Sequence, residues 1–205
     1  MALRRLALST SIAAAVMACG TSAPTRLPSD TAARAESSIP PASELYQTLD
    51  PGVVVDSARS LMRADSSAAL VTIDSTGQPR VRTVRTFVDP PDPSNRAGAV
   101  TVWIMTRLTT RKVEQLRANP HATLYFNDDA RLSYATIMGT AIVHTDPENP
   151  GAKRHYNPEY VRFFWPNFPA DFVMIEVKAR WLEYLGPGIP NHEQNWRPQA
   201  VTFGP

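Results

Sequence analysis

The run Met105-Thr106-Arg107-Leu108-Thr109-Thr110-Arg111-Lys112 places hydroxyls and cations where an apolar stretch gives way to a helical one. Cations in the first turn of a helix oppose the positive end of its dipole, each at a cost of about 0.3–1 kcal/mol. An anion seated there reverses the sign, because the first-turn amides and the threonine hydroxyls of Thr109 and Thr110 point at it too. The segment therefore reads as a phosphate cradle, with a solvated basic turn as the plain alternative. A second basic group lies upstream: Arg80, Arg82 and Arg85 fall within six residues of strand character. Period-two alternation puts Arg80 and Arg82 on one face and Arg85 on the other. Arg82 is expected to lean toward the same anion, and Arg85 to enter an ion pair or a subunit contact.

Other chemistries lack their spacing. The sequence holds no GxSxG, GxxxxGK, GxGxxG or HExxH pattern, so the common nucleophile, phosphate-loop, dinucleotide and zinc motifs are not in play. His121, His144, His155 and His192 stand too far apart for a local metal motif, and there is one cysteine, so no internal disulfide.

The elements that must position the cations follow from periodicity. A helix is expected over about 53–64, after an interruption at Asp50-Pro51-Gly52 and with Asp56 as a cap. Strands rich in Val, Thr and Ile are expected over 68–74, 80–88 and 99–106, broken by Ser75-Thr76-Gly77-Gln78-Pro79 and a proline-rich loop at 89–98. A helix over 110–119, capped by Thr109 or Thr110 and stopped at Asn119-Pro120, carries Val113 and Leu116 as its apolar positions. Strands over 121–127 and 132–144 come next, the longer with a bulge or bend at Gly139. A short helix and loop lead to a last strand over 172–185. Six strands in series with two or three short helices and no regular βα alternation predict a mainly β (α+β) domain, a closed or half-closed antiparallel barrel. In the stretch before that strand, Tyr156, Tyr160, Phe163, Phe164, Trp165 and Phe168 either shape a pocket or form barrel-capping core or a dimer contact.

The first eighteen residues have the form of an export signal: Arg4 and Arg5, then an apolar stretch from Leu6 to Ala18. That stretch is short for a membrane span. It ends in Val16-Met17-Ala18-Cys19, which resembles the lipobox of bacterial lipoproteins, so Cys19 is expected to carry a lipid that anchors the protein to a membrane of the cell envelope. Residues 19–43, rich in Thr, Ser, Ala and Pro, read as a flexible linker, and 44–205 as the domain. Without Arg4 and Arg5 the 21 basic residues become 19, against 19 acidic ones, a balance that argues against a nucleic-acid surface.

The order of these pieces resembles the pyridoxamine 5′-phosphate oxidase-like flavoproteins over roughly residues 55–185. The pieces are a strand bearing Arg82-Thr83-Val84-Arg85-Thr86-Phe87, a proline-rich turn, a strand ending Met105-Thr106, then Thr110-Arg111-Lys112 opening a helix closed by Asn119-Pro120. The most specific part is Thr106 through Pro120. Met138-Gly139-Thr140-Ala141 and the run from Phe172 to Val177, followed by Glu183-Tyr184, look most like the general stress protein 26-like branch. The resemblance implies a split barrel that binds FMN between two subunits of a homodimer. Arg82, Thr83, Val84, Arg85, Met105, Thr106, Thr110, Arg111, Lys112 and Tyr134 are then the cofactor-site residues, and the activity an oxidoreductase on a small-molecule substrate or electron donor. Phe87 stands where the B6-vitamer oxidases place a substrate-phosphate lysine, and Tyr134 where they place a glutamine. A missing lysine removes a charge-assisted bond of about 1.5–3 kcal/mol, so B6 oxidation is not expected. Two other readings stay open on sequence: a protein that holds FMN, another flavin or a haem-like ligand without turnover, and a barrel that has lost its cofactor.

Overall fold

The computed structural model describes residues 48–164 and 166–204; the expected signal, Cys19 and the whole of the expected linker lie outside the described residues. Among the described residues there are seven strands: β1 (Ser67–Ile73), β2 (Pro79–Val88), β3 (Thr101–Arg107), β4 (His121–Asp128), β5 (Ser133–His144), β6 (Phe172–Leu185) and β7 (Gln199–Thr202). Helices α1 (Pro51–Ala64), α2 (Arg111–Ala118), α3 (Pro150–Lys153), α4 (Pro158–Phe164) and α5 (His192–Asn195) sit between them.

All pairings are antiparallel, in the order β3-β2-β1-β4-β5-β6-β7, and β3 also pairs β6, which closes six strands into a barrel. The first half of β6 pairs β3 from Phe172↔Arg107 to Lys178↔Thr101, while Trp181 to Tyr184 pair β7. The expected antiparallel split barrel is therefore present, with a seventh strand added.

Alternation along each strand fills the interior. Leu70, Ile104, Leu124, Phe126, Ile137, Ile175 and Leu182 are fully buried, each stabilising the fold by about 1.5–3 kcal/mol relative to exposure. Helix α1 adds Val54, Val55, Ala58, Leu61 and Met62 to the same core. The register of β5 on β6 shifts between Met138 and Gly139. A Cβ on Gly139 would stand 2.1 Å from the Lys178 carbonyl oxygen, so the expected bulge requires glycine.

The start of α1 corrects the sequence reading. Asp50-Pro51-Gly52 opens the helix: the Asp50 side chain accepts from the Gly52 amide at 2.9 Å and Pro51 takes the first helical position, where a missing N–H costs nothing. Asp56 lies inside the helix and pairs with Arg96. Leu132, expected to begin a strand, is instead a left-handed cap (φ 48°) after the 3-10 turn Asp129–Arg131. Among the described residues no helix is long and apolar enough to cross a membrane.

Candidate functional site

Helix α2 joins the barrel through Val113 and Leu116. Thr110 is its N-cap by backbone conformation, yet its side chain makes no capping bond; Oγ1 donates instead to the Arg107 carbonyl at 2.9 Å. The Val113 amide bonds the Thr110 carbonyl at 2.9 Å, while the Thr110 side chain gives the first-turn amides no cap. The penultimate residue of β3, Thr106, lies beside this turn, buried and pointing inward. The Lys112 ammonium donates to Thr106 Oγ1 at 2.9 Å, and Thr110 Oγ1 lies 3.5 Å from the same oxygen.

Arg82 reaches this group from β2. Its guanidinium donates to Thr72 Oγ1 and, at 3.0 Å, to Gln115 Oε1; Thr72 Oγ1 donates to the same Gln115 oxygen at 2.6 Å. Sequence reasoning missed Thr72 and Gln115. Gln115 had a readable signal, four residues after Arg111 and hence on the same helix face; Thr72 had only its inward place on β1.

The electrostatics are one-sided. Burial, then the charges of Arg111 and Arg80, pull Arg82 below its ordinary value, and burial with the charge of Arg82 does the same to Lys112. The partners of both side chains are neutral oxygens. Arg80, by contrast, is paired with Asp74 at 2.6 Å. An anion bound among Arg82, Arg111 and Lys112 would relieve that mutual repulsion and collect charge-assisted hydrogen bonds.

The structure thus brings together Arg82, Thr106, Thr110, Arg111 and Lys112. The other expected residues sit elsewhere. Val84 is buried in the main core, leaving only its backbone for a ligand. Thr83 and Arg85 are exposed on the outer face of β2, and Met105 faces outward into a second cluster with Trp103, Phe87, Tyr156, Phe168, Phe172 and Met174. Tyr156 and Phe168 are therefore capping core; the side chains of Tyr160, Phe163, Phe164 and Trp165 lie outside the described residues. Tyr134 is three strands around the barrel from Arg82, stacked on Tyr125 and donating to Glu183 at 2.8 Å. Burial and Glu183 push its phenol well above the ordinary range.

The sequence model of pyridoxamine 5′-phosphate oxidase matches residues 54–186. The chain belongs to this family. None of the curated proteins matches it. Among solved structures, a protein from Clostridium acetobutylicum related to general stress protein 26 of Bacillus subtilis (pyridoxinephosphate oxidase family) is 17% identical with a TM-score of 0.56. That match covers 75% of this chain and 96% of that one. General stress protein 26 from Bacillus anthracis str. Sterne is 14% identical, TM-score 0.52, covering 72% and 97%. A heme binding protein from Mycobacterium smegmatis is 14% identical, TM-score 0.52, covering 77% and 60%. At these identities the likeness concerns the fold. Phe87, which by the resemblance replaces a substrate-phosphate lysine, is stacked on His155 at 5.6 Å between ring centroids.

Proposed function

We propose that this protein binds FMN by its phosphate at the start of α2 and uses it as an oxidoreductase, on a substrate other than a phosphorylated B6 vitamer. The observation that carries the reading is that Lys112 donates to Thr106 while Arg82, held by Thr72 and Gln115, is close enough to Arg111 and Lys112 for their charges to act on one another, with neutral oxygens as the partners of Arg82 and Lys112. Family membership supports the flavin as the phosphate's owner. Arg111 and Lys112 neutralise the phosphate, Thr106 and Thr110 supply hydroxyls at its edge, and Thr72 with Gln115 hold the Arg82 guanidinium toward it. The flavin, when bound, supplies hydride or electron transfer. The stacked Phe87 and His155 leave no lysine for a second phosphate, which is why the B6 substrate is set aside.

The working form is proposed to be a homodimer, as the family resemblance implies. The supporting observation is the outer face of β2-β1-β4-β5, where Val81, Val71, Thr123 and Met138 face outward on four adjacent strands, with Val81 66% and Met138 48% exposed. The sequence before residue 48 supports an exported form anchored through lipid on Cys19. The absorbance spectrum of the purified protein tests the central reading: flavin bands are expected, and a colourless protein that takes up no FMN on titration would refute it. Reduction of bound flavin by NAD(P)H, then reoxidation by candidate acceptors, decides between turnover and storage.

A further inference from the structure

The segment that leaves β5 folds back over the outside of β3 through two histidine contacts on either side of the Trp103 indole. His144 Nε2 lies 2.7 Å from Glu176 Oε2, and its ring stands 5.3 Å from Trp103. His155 Nε2 lies 2.9 Å from Asp89 Oδ1, with Trp103 Nε1 donating to the same carboxylate at 3.2 Å. Between them α3 sits directly on the indole: a Cβ on Gly151 would come within 2.4 Å of Trp103 Cζ2.

The hydrogen bonds fix which nitrogens carry protons. Asn149 caps α3, its Oδ1 accepting from the amides of Gly151 at 3.0 Å and Ala152 at 3.1 Å. The cap assigns the amide orientation, so the group facing His144 Nδ1 at 3.3 Å is the Nδ2 donor. Nδ1 is therefore an acceptor, and Nε2 donates to Glu176. A proton added at Nδ1 would set donor against donor. Turning Asn149 over to meet it would give up both cap bonds, an interaction whose removal typically costs about 1 kcal/mol. The same proton strengthens the contact of His144 with Glu176, whose other oxygen has Lys178 at 3.5 Å. The ring thus stays on β6 while the cost falls on the cap. At the far end of α3 a proton on His155 only reinforces its hold on Asp89, which Arg154 also approaches at 3.3 Å, and Arg59 donates to the Asp89 backbone carbonyl.

We infer that His144 and the Asn149 cap form a proton-operated latch, in which protonation of Nδ1 uncaps α3 and loosens its seat on Trp103. The latch stands independently of the flavin reading, although Trp103 shares strand β3 with Thr106.

The test is amide hydrogen exchange of Gly151 and Ala152 in the full chain at pH 7.5 and 5.5, a window in which histidines change charge, corrected for intrinsic rates. Protection should fall about fivefold on acidification in the wild type, the change that about 1 kcal/mol of lost capping gives. In His144→Gln it should stay within about twofold, because the glutamine carbonyl accepts from Asn149 while its amide donates to Glu176. In Asn149→Asp the direction should reverse, since a carboxylate caps the helix and also accepts from a protonated Nδ1. Equal protection of the wild type at both pH values would overturn the inference, as would an acid loss in His144→Gln matching the wild type. Should His144→Gln fail to fold, Asn149→Asp decides alone: an acid loss equal to the wild type's would sink the latch.

Discussion

Lys112 sits half-buried beside the charge of Arg82, and its titration is where the phosphate cradle should reveal itself. Burial and Arg82 place its pKa below the ordinary lysine value, about 10.4. Affinity for inorganic phosphate should therefore begin to fall at a lower pH than an ordinary lysine would dictate. Lys112→Arg should hold its affinity through the same range, because a guanidinium does not titrate there; calorimetric titration at several alkaline pH values reads the difference. Asp74 makes a second residue-scale case. Hydrogen bonds from Thr76, Arg80 and Gln78 hold its carboxyl well below the usual range. A depressed carboxylate contributes stability above its unfolded pKa and loses it as the pH falls toward the folded one. Asp74→Asn should accordingly lower the melting temperature at pH 7, with the gap narrowing below about pH 4. Arg111 and Lys112 were legible in the sequence because misplaced helix charge is visible in one dimension, and Arg82 because three arginines crowd one strand. Thr72 and Gln115 were not, since their role arises only when β1 and α2 meet beneath Arg82.

At the scale of elements, α2 carries the functional tension. Two cations in its first turn oppose the dipole, so the anion-free protein is less stable than its sequence permits. Arg111→Ala should stabilise the flavin-free chain by about 0.3–1 kcal/mol while reducing the rise in melting temperature that phosphate gives the wild type. Strand β5 depends on a different constraint. Gly139→Ala presses a methyl into the Lys178 carbonyl and should cost at least about 1–3 kcal/mol in chemical denaturation. The strands were readable from alternation, and Gly139 from its place within one of them. Helix α1 was misread at its start because Asp50-Pro51-Gly52 has the composition of a turn, whereas a capping aspartate followed by proline also begins a helix. Strand β7, four residues in a polar stretch, has too few alternating positions to signal itself; it exists because the second half of β6 offers a free edge.

Across the whole molecule, a closed barrel removes most unpaired strand edges, so the proposed association would have to use its outer face. That face carries Val81, Met138 and Tyr125, the last 40% exposed, and its apolar character follows from strand register that no single segment of sequence displays. If the proposed homodimer forms through this face, Val81→Lys/Met138→Lys should be a monomer by light scattering and the wild type a dimer, with the barrel still folded by circular dichroism. The central claim is that cations at the start of α2 exist for a flavin phosphate. Titration of the full chain with FMN and with riboflavin, for the wild type and for Arg111→Ala/Lys112→Ala, tests it most directly. Losing two charge-assisted contacts of about 1.5–3 kcal/mol each should weaken FMN binding at least about a hundredfold and leave riboflavin, which has no phosphate, nearly unchanged. Undiminished FMN affinity in the double variant, or an equal loss for riboflavin, would contradict it.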